Sequence, residues 1–275
     1  MNEDKAEQNA ENQEEWQAPP IPEEIPVEEK EDPQMSEVAT LSNIFFEPGK
    51  TFEDLRRKPR FIMAFVIIAI FASLFAFGFG QKMGEERFRR FFVEQIERNP
   101  AASGASEEQK SRQVGIQMTI VNVSRYLTPL LLLIFFAIGS LVYWLAAKAM
   151  GGTIGFMQAV SVWIYSSFPP TVVSAVANLL ILFLKSADDI DIAASSRGLV
   201  NANPSLLFGD KEMPVLTTLI STIDLFAIWG LVLAAIGLQK VAKLSKGASW
   251  AIVLILTLLG ITFRVVSAVV SGNPS

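Results

Sequence analysis

The chain has 275 residues, of which 51% are hydrophobic and 19% charged, and its mean hydropathy is positive at +0.36. A soluble domain of this size carries nearer about 25% charge, so the balance points to a membrane protein. With no cysteine and no histidine, disulfides, thiolate nucleophiles, Ser-His-Asp catalysis and histidine-held metals are excluded.

Residues 1–37 come first. Within residues 1–40 there are 13 Asp or Glu and two lysines, a net charge of −11 that leaves +6 for the rest of a chain summing to −5. Pro19, Pro20, Pro22, Pro26 and Pro33 interrupt it further. Such a stretch cannot bury enough apolar surface to offset its chain entropy, which predicts a disordered acidic tail. It lacks the basic start and apolar run of a signal peptide. A solvated spacer is the plain role for it, and docking onto a basic partner the alternative. Met35, followed by Ser36, is an alternative start for the chain.

Residues 38–60 predict two short amphipathic helices at the membrane surface. Val38, Leu41, Ile44 and Phe45 fall on one helical stripe, Pro48 and Gly49 make a turn, and Thr51 with Asp54 has the spacing of a cap for a second helix. Phe52 and Leu55 share that helix's apolar face, while Arg56, Arg57, Lys58 and Arg60 gather before the first span. Cations there suit anionic headgroups, so the segment is expected to lie on the bilayer in contact with membrane lipids. A helix that holds a cytosolic protein partner has the same pattern. Its contact residues would be Phe45, Phe52, Leu55, Arg56 and Arg57.

The membrane domain covers 61–272. A crossing needs about 20 apolar residues. Phe61 to Gln81 is free of charge for 21 residues, which gives a first span at 61–81. The loop 84–124 is expected to be a helical hairpin outside the membrane or on its surface. Phe88, Phe91, Phe92 and Ile96 form one helical stripe there, and Ser106 with Gln109 makes a capping box ahead of Val114, Met118 and Val121. The second span is 126–148. From Ala149 to Leu184 there are 36 residues without a charge, too many for one straight crossing. Gly151 and Gly152 cut that run near its start, and Pro169 and Pro170 predict a kink in a third span at 156–184. The fourth and fifth spans fall at 215–239 and 248–270.

The fold class is therefore all-α: a five-span helical membrane bundle behind an acidic tail. Lysine and arginine should be in excess in short cytoplasmic loops. Lys50, Arg56, Arg57, Lys58 and Arg60, then Lys148, then Lys240, Lys243 and Lys246 occupy the flanks that share a side with the N-terminus. The acidic loop 185–213 suits the other side. The N-terminus is expected in the cytoplasm and the C-terminus outside, in the inner membrane of a bacterium.

Two charges fall deep inside predicted spans, Asp224 in the fourth and Arg264 in the fifth. Each costs on the order of 3 kcal/mol at mid-bilayer. At matched depth on antiparallel neighbours they are expected to form an ion pair, directly or through one water or hydroxyl, acting as a structural clamp; a proton or ion relay is the alternative. Asp188, Asp189 and Asp191 lack the spacing of a calcium loop, and no phosphate-binding G-x-x-x-x-G-K-[ST] run is present. No catalytic residues, cofactor or metal are expected, and no nucleic-acid partner.

The order of pieces resembles the Yip family, the Ypt/Rab-interacting membrane proteins, in its bacterial branch. The matching runs are Leu41-Ser42-Asn43-Ile44-Phe45-Phe46-Glu47-Pro48-Gly49-Lys50-Thr51-Phe52-Glu53-Asp54-Leu55, then Gly151-Gly152-Thr153-Ile154-Gly155-Phe156-Met157-Gln158 leading to Tyr165-Ser166-Ser167-Phe168-Pro169-Pro170, then Ile223-Asp224-Leu225-Phe226-Ala227-Ile228-Trp229. The resemblance covers about residues 38–272 and implies a five-helix integral membrane protein. Eukaryotic relatives act in vesicle traffic with a cytosolic N-terminus that engages prenylated Rab GTPases. The third-span run departs from their tyrosine-containing motif, and the first loop is longer. The function expected is a non-enzymatic scaffold or adaptor that recruits a cytosolic partner at 38–60 or organises membrane, and a homo-oligomer is compatible with it. The alternative is a small-solute or ion transporter or channel using the kinked third span and Asp224.

Overall fold

The computed structural model describes residues 33–98, 104–192, 195, 198–200, 202 and 214–271. The tail expected over residues 1–37 thus falls outside the described residues as far as residue 32. The described residues form helices α1 (Glu37–Phe46), α2 (Pro48–Arg57), α3 (Ile62–Arg98), α4 (Glu107–Ala149), α5 (Phe156–Leu184), α6 (Pro214–Ser221), α7 (Leu225–Val241) and α8 (Lys246–Ser271). By length and composition α3, α4, α5 and α8 can each cross a membrane, and α7 is a shorter apolar helix of 17 residues. Leu130, Leu131, Leu133, Ile134, Phe135 and Ile138 of α4, with Leu254, Ile255, Leu258 and Leu259 of α8, are exposed. Apolar belts of this extent have no counterpart on a water-soluble monomer. The chain is an all-helical, multi-pass membrane bundle.

α5 is the centre of the bundle. It packs against α3, α4 and α7 and also against α1 and α2, and Val162, Ile164, Tyr165 and Phe168 are buried in the shared core. Pro169 and Pro170 are buried within it, and the helix runs through both without a break. Each proline withholds an amide from the carbonyl four residues back, here those of Tyr165 and Ser166. α7 comes close at this point: a side chain on Gly230 would begin 3.6 Å from the Ser166 carbonyl oxygen and 3.7 Å from Pro170 Cγ. Packing against α7 holds the helix together where the prolines weaken it.

The glycine pair does not kink a span. It ends α4. Gly152 N–H donates to the Ala147 carbonyl at 2.8 Å and Gly151 N–H to that of Lys148 at 3.0 Å, with Gly151 at φ 80°. These are the two bonds of a Schellman cap, which needs a left-handed residue and so selects glycine.

The fourth span is likewise not one helix. Where the hydropathy predicts 215–239 unbroken, the chain stops at Ser221 and restarts at Leu225, because Asp224 takes an extended conformation and accepts bonds from Phe226 N–H and Ala227 N–H at 2.9 and 3.0 Å. An aspartate offers its own helix a start, and that local preference prevails over the apolar run around it.

α4, at 43 residues, is about 65 Å long, roughly twice the hydrocarbon thickness, and the 37 residues of α3 are divided by a kink at Gly84. Their distal halves form a helical hairpin. It turns at Gly84 (φ 70°) on the α3 side and begins at the Ser106–Gln109 capping box on the α4 side. A second core fills it: Met83, Phe88, Phe92, Ile96, Val114 and Met118, with Leu182 and Ile190. The aromatic stripe therefore packs inward, with Phe91 half-buried at its edge. At the junction Lys82 donates to the Leu182 carbonyl at the end of α5, and Arg87 bonds the Ala187 carbonyl and the Asp188 carboxylate.

In the membrane half, α4 and α5 meet where Trp163 fills the space over Gly139. A Cβ at Gly139 would stand 2.2 to 2.6 Å from the indole ring, which is boxed in by Tyr143 at 4.6 Å and Phe135 at 6.0 Å between centroids. The Gly139→Val variant should lose about 1–3 kcal/mol by overpacking. Thermal unfolding in detergent is expected to show a lower Tm and a shifted tryptophan emission; an unchanged Tm would mean the two helices can part without cost.

Candidate functional site

The residues with the densest polar organisation lie where α1 and α2 meet the bundle. Ser36 caps α1, its hydroxyl accepting from Ala39 N–H at 3.1 Å. α2 starts at Pro48, whose fixed φ and missing N–H suit a first turn. It therefore begins three residues before the Thr51 cap that the spacing predicts. Thr51 is instead buried inside α2, with its hydroxyl on the Glu47 carbonyl.

This shift frees Asp54 for another use. Asp54 is 1% exposed. One carboxylate oxygen accepts from Gln34 N–H at 2.5 Å and Met35 N–H at 3.3 Å, and the other pairs with the Arg60 guanidinium, which also donates to the Met35 carbonyl. Carboxylate, guanidinium and the backbone at residues 34–35 thus close a ring that ties the chain ahead of α1 and the chain ahead of α3 to the middle of α2. A buried pair with this many hydrogen bonds is tolerated, but removing one partner strands the other charge at a cost of about 3–5 kcal/mol.

The rest of the interface is apolar with polar edges. Phe52 and Leu55 are fully buried, as is Ile44 of α1. The Phe52 ring sits over Gly237 of α7, where a Cβ would stand 3.0 Å from it and 2.8 Å from Val162. Phe45 makes edge-on contacts with Phe168 and Trp229, both at 6.0 Å. Gln158 caps the start of α5 by accepting from Gly155 N–H at 2.8 Å and donates to the Arg56 carbonyl at 2.6 Å. Glu53 pairs with Lys240 of α7 at 2.6 Å.

These contacts correct the surface-helix expectation. Phe52 and Leu55 face the protein core, neither lipid nor a partner, and Phe45 is half-buried. Arg56 and Arg57 are half-buried at the end of α2, where cations suit the helix dipole. The segment is a docked cap. It was legible as two helices but not as docked, and the missed signal is a charge on the apolar stripe: Asp54 lies beside Leu55, three residues after Thr51.

Asp224 and Arg264 do not form a direct ion pair. Asp224 caps α7, Arg264 is half-buried on α8, and no ion pair joins them among the described residues. Among the described residues no group of three or more acidic side chains could hold a metal. Asp188 pairs with Arg87, and Asp189 accepts from the Ser186 hydroxyl at 2.6 Å.

The cap also gathers the basic flanks at one end of the bundle. Lys240 reaches Glu53, Thr153 N–H donates to the Ala242 carbonyl at 3.0 Å, and Lys148 lies in the last turn of α4 beside the same loop.

A helical membrane bundle with a docked N-terminal cap is the class these features define. The Yip1 domain model matches residues 42–268, from within α1 to near the end of α8, and the chain belongs to the Yip1 domain family. It is similar to the "Membrane protein YknW" of Bacillus subtilis (strain 168), with 25% identity over 135 residues, 49% of this chain and 54% of that relative. The chain thus spans about half the length of that curated relative. No solved structure matches.

Two outcomes follow for the cap. Because the chain has no cysteine, Thr51→Cys supplies a single buried reporter. Its maleimide labelling should be slow, and at least about tenfold faster once Asp54→Ala is added, since the stranded Arg60 charge destabilises docking; equal rates would show that the pair does not hold the cap. The second concerns pH. The hydrogen bond from Lys240 holds the Glu53 carboxyl below its ordinary value near 4.5. A depressed folded pKa stabilises fully above the unfolded value and is lost as pH falls through the folded one. Both groups are well exposed, so the bridge contributes at most about 1 kcal/mol. Lys240→Gln should lower Tm slightly at pH 7, and the difference should close as the pH drops below 4.5; a constant difference would assign the effect elsewhere.

Proposed function

We propose that this chain is a non-enzymatic membrane scaffold whose docked cap presents a fixed surface to a cytosolic partner. The observation that carries this is the ring of Asp54, Arg60 and the backbone at Gln34 and Met35. It fixes the backbone at residues 34–35 to a rigid support. Outward on the cap are Phe46, 82% exposed, and Val38, 67% exposed, and Lys50 and Lys58 are exposed as well. Apolar residues that stay exposed on an otherwise well-packed cap are suited to a protein contact.

The gathering of Arg56, Arg57, Lys58, Lys148, Lys240, Lys243 and Lys246 at the cap end supports a cytoplasmic location for that end, by the positive-inside rule. With α6 and α7 together making the fourth crossing, the C-terminus then lies outside, and the membrane is the bacterial inner membrane. A carrier would use a kinked third span and an acid available to a solute. The Asp224 carboxylate is engaged by two amides of its own helix. The scaffold is the better account.

Photo-crosslinking probes at Phe46 and Val38 in native membranes test it, with Leu55 as the buried control. One protein adduct common to both exposed positions, absent from Leu55 and lost in Asp54→Ala, is the expected result. Adducts to lipid alone from Phe46 and Val38 would sink the adaptor.

A further inference from the structure

A groove of about 320 Å³ runs along the side of the bundle between α3 and α4, lined by Ala76, Ser124, Arg125, Thr128, Leu131, Leu132 and Phe135. Its volume is at the lower end of the range for ligand sites. Six of these residues form one stripe of α4, and their polarity changes along the helix axis rather than around it. Arg125, Ser124 and Thr128 stand at one end, and Leu131, Leu132 and Phe135 at the other. The ten-residue step from Arg125 to Phe135 is about 15 Å of helix.

The cation is set in place by its neighbours. Its guanidinium lies over the Phe88 ring, 5.3 Å from the centroid, and fits against Gly80, where a Cβ would stand 2.4 to 2.6 Å from Cζ, Nε and Nη1. Among the described residues Arg125 makes no ion pair, and no acidic residue lines the groove. Arg125 is the last charge before the charge-free stretch of α4, and Gly80 is two residues before Lys82, the first charge after the charge-free stretch of α3. Both helices thus put the cation at the level where hydrocarbon gives way to headgroups.

We infer that this groove is a binding site for an anionic glycerophospholipid, with the phosphate on Arg125 and an acyl chain along Leu131, Leu132 and Phe135; the Ser124 and Thr128 hydroxyls, which donate to the Val121 and Ser124 carbonyls, only line the polar end. A charge without a protein counter-ion, at the headgroup level and above an apolar trough, matches an amphiphile oriented along the membrane normal. A soluble anion would match only the polar end. The site is independent of the cap and of the scaffold proposal.

Native mass spectrometry of the purified full chain, given equal amounts of phosphatidylglycerol and phosphatidylcholine, tests the assignment. The wild type should retain phosphatidylglycerol at least about fivefold over phosphatidylcholine. Arg125→Gln should bring the two level, and Arg112→Gln, an exposed cation further along α4, should change nothing. Ala76→Phe fills the groove from the α3 side, leaves the cation intact, and should also reduce the phosphatidylglycerol adduct. Excess inorganic phosphate should not displace the lipid. Equal retention of both lipids by the wild type, an Arg125→Gln adduct as strong as the wild type's, an equal loss in Arg112→Gln, or displacement by phosphate would overturn it. If Arg125→Gln does not fold, Ala76→Phe decides: an unchanged adduct there refutes the site.

Discussion

A carboxylate and a guanidinium withdrawn from water at the end of a membrane bundle have to satisfy each other, and in this chain that requirement organises the described residues ahead of the first span. Asp54 and Arg60 are six residues apart, too far to meet on a continuous helix. They meet because α2 ends after Arg57 and the chain leaves it in an extended conformation at Lys58 before α3 begins. The same pair captures the backbone at residues 34–35, so the direction in which α1 leaves is fixed as well. With α2 held in this attitude, Phe52 and Leu55 enter the core and Glu53 faces Lys240. A chain that reaches the membrane surface as two amphipathic helices is thereby converted into a lid over α5 and α7.

Close approach elsewhere in the bundle depends on glycines that accept a planar group from a neighbouring helix. Gly139 receives the Trp163 indole, Gly237 the Phe52 ring and Gly80 the Arg125 guanidinium. Helices in lipid gain little from apolar burial against one another, so shape fit carries more of the association than in water. Each of these sites joins a different pair: α4 to α5, α7 to α2, and α3 to α4.

The long, charge-free stretches were legible in the sequence because hydrocarbon thickness imposes a length on them, and α3, α4, α5 and α8 contain four of the five expected spans. The Ser106–Gln109 capping box was legible because it depends on residues three apart. What escaped were features in which local and distant preferences compete. Asp224 was placed inside a span by the hydropathy around it, yet its short side chain caps a helix. Gly151 and Gly152, expected to cut the charge-free run, do so by closing α4, a cap that spacing does not show. Asp54 looked like half of a cap; its true partner, Arg60, lies beyond a proline whose effect on chain direction cannot be read from spacing. The docking of Phe45, Phe52 and Leu55 was hidden for the same reason a surface helix and a core helix share one stripe.

The hairpin at the ends of α3 and α4 has a consequence for how the molecule is made. Met83, Phe88, Phe92, Ile96, Val114 and Met118 leave the ribosome together, but Leu182 and Ile190 of the same core follow more than sixty residues later. The early six can close on each other as soon as α3 and α4 lie side by side. The cluster is completed only when α5 has brought its far end to the same side of the bilayer, where Lys82 and Arg87 bind the carbonyls of Leu182 and Ala187. An α5 threaded short, or left on the wrong side, would leave those cations and that apolar face uncovered. The second core is therefore complete only in a molecule whose central helix has gone all the way across.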